Sequence, residues 1–333
     1  MKKIILILLC LPIIGFSQQT SNFFHDGLNR EYIYYSPNGL PSNAPLVFVA
    51  HSFGGSAQAI RSSSGMNTIA DQNGFAICYP QGTEDNWGDN FWNVGYDFHS
   101  GVTIDDIGFL ESLASYLQLT HQLSSTNTFF TGMSNGGEMC YVLAFDGSNI
   151  FKAFAPVAGT VFSNGLINNL FTPNLPIPFF VTHGDNDNVT FFEGDPNDQY
   201  WGPYLSVDTL VNFWVNYNSL SNLNIDTFPD INSNGKITIS HKYTSAISNN
   251  QVWLYKHQSG HNWGDDGDIV IEQEIWDFFL LISNNLTEVT ELSNTKKLLS
   301  VTNLLGQKFN NIKNEILLYI YDDGSVEKKI ILE

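Results

Sequence analysis

The amino-acid sequence predicts an α/β protein in which helices flank a mainly parallel central sheet. Short apolar runs, rich in β-branched and aromatic side chains, recur along residues 18–282, as expected for strands. Stretches with helical periodicity separate several of these runs. The runs are apolar at consecutive positions, which indicates strands buried on both faces. A parallel sheet covered by helices produces this pattern.

The predicted elements follow one another in a regular order. Strands are predicted at residues 45–50, 75–79, 128–132, 151–157, 177–182 and 252–256. A capping pattern at residues 103–106 opens a helix that runs towards Gln118, and further helical patterns lie at 138–145, 206–218 and 268–282. A less regular run at residues 32–35 favours an antiparallel strand at the sheet edge.

The N-terminus has the layout of a secretory signal peptide. Lys2 and Lys3 precede an apolar run at residues 4–14, and Gly15 and Ser17 place small residues before a cleavage point at Gln18. The run is too short for a permanent membrane anchor. We therefore expect signal peptide removal at residues 1–17 and a secreted mature protein, extracellular or at the cell surface, without an integral membrane segment.

The far end of the chain differs in composition from the rest. Residues 18–295 contain six Lys and Arg, and six more lie within residues 296–333. The polar stretch at 283–295 predicts a linker between a catalytic domain at 18–282 and a small β-rich tail at 296–333. Apolar runs at 316–321 and 326–332 flank an Asp-Asp-Gly-Ser sequence, which predicts a β-hairpin.

The charge balance excludes two classes of partner. The chain carries 33 Asp and Glu against 14 Lys and Arg, a net charge of −19. A surface this acidic repels nucleic acid and anionic membranes. No Cys and His spacing predicts a metal site, so we expect no metal and no cofactor. The acidic loops at 84–89 and 265–268 match no complete EF-hand pattern, and we expect them to be solvated rather than bound to Ca²⁺.

Two cysteines remain after the signal peptide, Cys78 and Cys140. Export permits a disulfide between them. Their apolar surroundings favour two small buried thiols instead.

A Gly-x-Ser-x-Gly pattern surrounds Ser134, between the strand at 128–132 and the helix at 138–145. Glycines two residues either side of the serine permit the tight strand-to-helix turn that exposes a serine hydroxyl above a sheet. The following helix N-terminus directs N–H groups towards a developing oxyanion. The pattern therefore predicts Ser134 as a catalytic nucleophile.

A serine nucleophile needs a histidine to take its proton and a carboxylate to orient that histidine. In this arrangement the acid and the histidine follow the serine in chain order, each in a loop after a strand. Asp185 and Asp187 follow the strand at 177–182, and His261 follows the strand at 252–256. The pattern predicts His261 as the base and leaves both aspartates as candidates for the acid.

The remaining expected part of the site is a pair of backbone donors for the oxyanion. Asn135 directly follows the serine, so its N–H is the first expected donor. Phe53 lies in the glycine-rich loop after the strand at 45–50 and is the second. We expect His51 and His183 to order their own loops rather than to act in catalysis.

Several motifs in order resemble the polyhydroxybutyrate depolymerase and feruloyl esterase group of the α/β-hydrolases, from about Tyr32 to Leu280. They are His-Ser-Phe-Gly-Gly-Ser-Ala at 51–57, Tyr-Pro-Gln-Gly at 79–82, Phe-Trp-Asn at 91–93, Asp-Asp-Ile-Gly-Phe at 105–109, Gly-Met-Ser-Asn-Gly-Gly at 132–137, and the segments around His183 and His261. The resemblance implies an α/β-hydrolase fold and favours Asp187, three residues after the His-Gly pair, as the acid. The group's usual His-Gly in the oxyanion loop is His51-Ser52 here, so Ser52 must adopt that backbone conformation.

The resemblance implies a carboxylic-ester hydrolase that works through an acyl-enzyme. We expect feruloyl or acetyl esters of plant polysaccharide as substrates, with polyhydroxybutyrate-type polyesters as the alternative, and a non-catalytic carbohydrate-binding or adhesive protein as the alternative of another class. A peptidase is a further use of the same triad. The scarcity of Arg favours a neutral acyl group. Aromatic side chains expected at the rim of the site are Phe91, Trp92, Trp201, Tyr204 and Trp263. Burial in the core is the alternative for most of these rings, and for Trp92 in particular.

The tail at 296–333 is similar to the C-terminal sorting segments of the type IX secretion route. This resemblance implies that the tail binds the secretion machinery and is removed during export. An accessory β-module that stays attached is the alternative.

Overall fold

The computed structural model describes residues 20–162, 176–264, 267–293, 298–303, 316–321 and 326–330. The chain divides into two compact units, of which the first ends at Ile282 and the second runs from Ser283 to Glu333. The predicted signal peptide at residues 1–17 lies outside the described residues. Among the described residues, none of the helices combines the length and the apolar character that a membrane-spanning segment needs.

A ten-stranded sheet forms the centre of the first unit. Its strands are β1 (Thr20–His25), β2 (Leu28–Tyr35), β3 (Leu46–Ala50), β4 (Ala76–Pro80), β7 (Thr128–Met133), β8 (Phe154–Val157), β9 (Phe179–Gly184), β10 (Asn222–Thr227), β11 (Thr238–Thr244) and β12 (Gln251–His257). They lie in the order β1-β2-β4-β3-β7-β8-β9-β12-β11-β10. The six strands from β4 to β12 are parallel, and antiparallel pairs extend both edges.

The helices of this unit flank the sheet. They are α1 (Ala57–Ser63), α2 (Met66–Asn73), α3 (Asp106–Thr120), α4 (Asn135–Asp146), α5 (Val207–Tyr217) and the part of α6 (Ile271–Ser293) up to Ile282. A two-stranded ribbon, β5 (Thr83–Glu84) with β6 (Asn90–Phe91), projects from the loop after β4. The side chain of Asp105 caps α3 by accepting a hydrogen bond from the N–H of Gly108, which satisfies a helix donor that has no intrahelical acceptor.

The core lies on both sides of the parallel strands. All five residues of β3 and all five of β4 are buried, in agreement with their continuous apolar runs. Cys78 on β4 and Cys140 on α4 are both buried and free. Their thiols fill small spaces in the core rather than form a disulfide.

Several elements differ from the sequence-based expectations, and three of them show why. The run at 32–35 belongs to β2, which is antiparallel but second from the edge, because β1 pairs outside it. Strand β10 is exposed along its whole length and therefore has no apolar run to identify it. Helix α6 continues through most of the predicted linker at 283–295, since no Gly or Pro in that stretch ends it.

The second unit contains a three-stranded antiparallel sheet. Its strands are β13 (Leu298–Asn303), β14 (Ile316–Tyr321) and β15 (Val326–Ile330), with β14 in the middle. Strands β14 and β15 pair as the hairpin pattern predicts. The turn itself, at residues 322–325, lies outside the described residues.

Candidate active site

Ser134 sits in a strained turn between β7 and α4. Its φ is 54° and its ψ is −120°, a conformation that non-glycine residues rarely adopt. The flanking glycines make this turn possible, because a Cβ on Gly132 would lie 2.5 Å from backbone atoms of Gly136, and a Cβ on Gly136 would lie 2.5 Å from the carbonyl oxygen of Ala50. The turn is that of a nucleophile elbow.

The sheet topology brings the predicted site residues to one edge. The loops that carry Phe53, Ser134, Asp187 and His261 follow β3, β7, β9 and β12. These four strands are parallel members of the same sheet, so their carboxyl ends face the same side. Residues that are up to 208 positions apart in the sequence, from Phe53 to His261, therefore gather above one edge.

Asp187 and His261 form a close pair. Oδ2 of Asp187 accepts a hydrogen bond from Nδ1 of His261 at 2.7 Å. Oδ1 of Asp187 accepts from the backbone N–H groups of Val189 and Thr190, both at 2.8 Å. The Asp187 side chain is fully buried, whereas that of His261 is 15 % exposed. This pairing leaves Nε2 as the free nitrogen of His261 for proton transfer.

His183 completes the surroundings of the aspartate. Its Nε2 donates to the carbonyl oxygen of Thr190 at 2.8 Å and lies 3.4 Å from Oδ2 of Asp187. Burial alone would raise the pKa of Asp187, but the hydrogen bonds from His183 and His261 outweigh it and hold the pKa well below its usual range. Asp187 is therefore ionised and fixed, while Asp185 is exposed.

Gly184 brings the loops of the acid and the histidine together. A Cβ at this position would lie 2.2 Å from the carbonyl oxygen of Ser259. Any side chain would separate the loop after β9 from the loop after β12. His183 thus orients the carboxylate of Asp187, and Gly184 lets the two loops approach closely enough for Asp187 to contact His261.

His51 orders the loop that carries Phe53. Its Nδ1 donates to the carbonyl oxygen of Ser52 at 2.7 Å, and its Nε2 accepts from the N–H of Gly82 at 2.9 Å. Burial lowers the pKa of His51 to about 4, so the ring is neutral and can accept at Nε2. Ser52 has no positive φ, so a serine adopts this backbone conformation without strain.

The side chain of Asn135, the residue after Ser134, is anchored to the backbone of Trp92. Its Oδ1 accepts from the N–H of Trp92 at 2.7 Å and its Nδ2 donates to the carbonyl oxygen of Trp92 at 3.1 Å. The N–H of Asn135 is the first of α4 and has no acceptor within the helix. The same turn therefore presents a fixed backbone donor beside Ser134.

The expected aromatic rim is wrong for three residues. Trp92 is completely buried, and its Nε1 donates to the carbonyl oxygen of His51, so it supports the site from below. Tyr204 is only 4 % exposed, and its hydroxyl accepts a hydrogen bond from the N–H of Phe191 inside the fold. Phe91 is also buried. Trp201 and Trp263 remain partly exposed.

Two features near the site escaped the sequence patterns. Glu138, in the first turn of α4, is buried and accepts a hydrogen bond from the hydroxyl of Tyr96 at 2.6 Å. Burial raises the pKa of Glu138 to about 8. Aromatic side chains also lie on segments that the motifs did not identify: Trp87 and Tyr200 are exposed, and Phe98 is half-buried. An acidic residue in an otherwise apolar helix was the available signal for Glu138.

Comparisons with known proteins agree with this architecture. Residues 30–168 match the family model described as Esterase PHB depolymerase, a segment that includes Ser134 but ends before Asp187 and His261. The bifunctional acetylxylan esterase/xylanase XynS20E of Neocallimastix patriciarum is 26% identical over 168 residues, which are 50% of this chain and 23% of that protein. Feruloyl esterase B of Thermothelomyces thermophilus is 29% identical over 191 residues, 56% of this chain and 60% of that protein. The chain thus spans less than two thirds of either relative.

A solved structure shows the same fold. The acetyl xylan esterase from Aspergillus awamori superposes with a TM-score of 0.55 at 17% identity, over 79% of this chain and 98% of that chain. The expected fold class is confirmed: the chain has the α/β-hydrolase fold, and its residues 30–168 match an esterase family.

Proposed function

We propose that this protein is a serine carboxylic-ester hydrolase with Ser134 as nucleophile, His261 as base and Asp187 as the orienting acid. The observation that carries the proposal is the 2.7 Å Asp187–His261 hydrogen bond at the same sheet edge as the strained Ser134 turn. A structural loop serine has no need of φ 54° or of a buried, ionised aspartate on a neighbouring histidine. The esterase family match and the names of both relatives support the same activity.

The proposed reaction proceeds through an acyl-enzyme. Oγ of Ser134 attacks the ester carbonyl carbon while Nε2 of His261 takes the hydroxyl proton. The N–H groups of Asn135 and Phe53 hold the resulting oxyanion. Collapse of this intermediate breaks the bond to the alcohol, which leaves with the proton from His261. Water then attacks the acyl-enzyme and gives a proton to Nε2 of His261. Collapse of this second intermediate breaks the bond between the acyl carbon and Oγ, and His261 returns the proton to Oγ, which releases the carboxylic acid and restores Ser134.

Acetyl and feruloyl esters of plant polysaccharide are the substrates that we propose first. Their acyl groups are uncharged, and the chain has only two Arg residues, of which Arg30 is buried in an ion pair with Asp106. Arg30 is therefore not available to bind a charged acyl group. The names of the two relatives and of the solved structure support this substrate class. The family description favours polyhydroxybutyrate-type polyester as the second candidate.

Labelling with a fluorophosphonate probe tests the chemistry directly. Such a probe forms a bond with an activated serine, so the wild-type chain should be labelled and Ser134→Ala should not. Release of acetate and ferulate from acetylated xylan and feruloylated arabinoxylan should then be compared with release of hydroxybutyrate from the polyester. Absence of labelling with retained carbohydrate binding would support the non-catalytic alternative, and cleavage of peptides alone would support a peptidase.

The proposal includes secretion. A polymer substrate cannot enter the cell, and the residues at 1–17 have the composition of a signal peptide. We further propose that the tail at 296–333 is a type IX sorting segment that binds the secretion machinery. Intact mass spectrometry of secreted protein should give an N-terminus at Gln18 and a C-terminus before the tail. A product that still ends at Glu333 would support a permanent accessory module instead.

A further inference from the structure

Five aromatic side chains form a continuous group beside the loop that carries the proposed oxyanion donor. We call Phe53, Trp87, Phe98, Tyr200 and Trp201 the aromatic cluster. Ring centroids are 5.6 Å apart from Phe53 to Trp201, 4.7 Å from Trp201 to Tyr200, 5.3 Å from Tyr200 to Phe98 and 6.0 Å from Phe98 to Trp87. Trp87 is 68 % exposed and Tyr200 63 %. The cluster thus leads from the active-site edge out to the surface.

Hydrogen bonds fix the loop that carries Tyr200 and Trp201. Oδ1 of Asp198 accepts from the N–H groups of Tyr200 at 2.9 Å, Trp201 at 2.6 Å and Gly202 at 3.1 Å. The carbonyl oxygen of Trp201 accepts from the N–H of Asp97 at 3.0 Å, next to Phe98. Two aromatic loops are therefore joined by their backbones.

The loop of Trp87 is fixed in the same way. Oδ1 of Asp85 accepts from the N–H of Trp87 at 2.8 Å, and Oδ2 accepts from Nε2 of buried His99 at 3.1 Å. The N–H of Gly54 donates to the carbonyl oxygen of Asn90 at 2.8 Å, which joins this loop to the oxyanion loop. The backbone segments that carry the exposed rings are thus fixed before any ligand arrives, and such preorganisation reduces the entropy lost on binding.

A cavity opens between Trp87 and Phe98. Its volume of about 380 Å³ lies within the usual range for ligand sites. Exposed polar groups of Glu84, Asn86 and Thr103 line it beside the two rings, and no Lys or Arg does. The walls therefore combine apolar ring surface with hydrogen-bond acceptors and a negative charge.

We infer that the aromatic cluster and this cavity bind the main chain of a neutral polysaccharide whose ester group enters the Ser134 site. The ring faces match the C–H face of a sugar, and the carboxylate and amide oxygens match its hydroxyl donors. A polyester has no hydroxyl donors along its chain, so it would leave those oxygens without partners. The carboxylates repel an anionic polymer. The inference rests on the proposed esterase function. It gives the polysaccharide main chain a binding site separate from that of the acyl group.

Substitution at the two most exposed rings separates polymer binding from chemistry. Trp87→Ala and Tyr200→Ala should each raise KM on acetylated xylan by about tenfold, as for a central binding aromatic, and leave kcat/KM on p-nitrophenyl acetate unchanged. Phe24→Ala is the matched control, because Phe24 is 69 % exposed on β1, outside the cluster. It should change neither value.

The second readout is the binding of the full chain, carrying Ser134→Ala, to deacetylated xylan and to polyhydroxybutyrate. Xylan binding that is lost with Trp87→Ala supports the inference. The inference is overturned if Trp87→Ala leaves xylan binding unchanged or weakens only the binding of polyhydroxybutyrate. It is also overturned if the variant loses equal activity on acetylated xylan and on p-nitrophenyl acetate. Wild-type protein that hydrolyses no ester at all would refute the proposed function, and the xylan binding assay would still decide on the cluster.

Discussion

Asn135 and Trp92 are joined by two reciprocal hydrogen bonds, in which the amide of Asn135 accepts from the N–H of Trp92 and donates to its carbonyl oxygen. Both residues are fully buried. The amide thereby ties the first residue of α4, directly after Ser134, to the loop that follows β5 and β6. The position of the Asn135 N–H, the proposed oxyanion donor, consequently depends on a loop residue 43 positions away in the sequence.

Asn135→Ala should affect both stability and catalysis. It leaves the N–H and the carbonyl oxygen of Trp92 buried without partners, which should lower the free energy of unfolding by about 1–3 kcal/mol. Because the turn loses its anchor, kcat on a model ester should fall by up to about 100-fold. Urea unfolding and steady-state kinetics measure the two effects. Asn149→Ala, at an exposed position beyond the other end of α4, should change neither, and an unaltered Asn135→Ala enzyme would contradict the prediction.

Removal of the triad side chains should give graded losses. Ser134→Ala and His261→Ala should each lower kcat by roughly 10⁶-fold, and Asp187→Ala by roughly 10⁴-fold, because the acid only orients the histidine. The double variant Ser134→Ala with His261→Ala should lose little more than either single one. Asp185→Ala is the matched control, since Asp185 is exposed and should retain near wild-type activity. A larger loss of kcat for Asp185→Ala than for Asp187→Ala would show that Asp187 is not the acid.

Glu138 should make stability depend on pH. Burial raises the pKa of Glu138 from its ordinary 4.5 to about 8, so the folded protein holds a proton that the unfolded chain releases above pH 4.5. The stabilisation is complete below pH 4.5 and is lost as pH rises to about 8, by up to about 5 kcal/mol. Glu138→Gln keeps an acceptor for Tyr96 without the titration. Urea unfolding from pH 5 to 9 should therefore show a steeper decline in wild type than in the variant, and parallel curves would be inconsistent with this origin.

The buried Arg30–Asp106 pair should be costly to break. Nη2 of Arg30 donates to Oδ1 of Asp106 at 2.6 Å, and Oδ2 of Asp106 accepts from the N–H of Asn93 at 2.7 Å. Asp106→Asn should lower the free energy of unfolding by about 3–5 kcal/mol because it leaves a buried guanidinium without its counterion. Asp105→Asn is the neighbouring control: this residue is half exposed, and asparagine also caps helices, so the loss should stay below about 1 kcal/mol. Equal losses in chemical denaturation would refute the distinction.

The parts of the site that are encoded locally could be predicted from the sequence. The Ser134 turn depends on glycines within two residues, and the strands before Ser134 and His261 appear as continuous apolar runs. Gly184 and His183 lie beside Asp187 in the same loop, so the motif already contained most of the acid's surroundings. The short range of these interactions is the reason that a linear pattern identifies them.

The sequence by itself therefore determined the parallel sheet, the elbow at Ser134 and the loops that supply the other candidate residues. Only the tertiary structure distinguished Asp187 from Asp185 by geometry, because the distance to His261 depends on how two loops 74 residues apart approach each other. It also decided which aromatic rings face solvent, since Trp92 and Trp87 look alike in the sequence although the first is completely buried and the second is 68 % exposed. Burial is a property of the contacts that distant segments make, and those contacts leave no periodic pattern in a short loop.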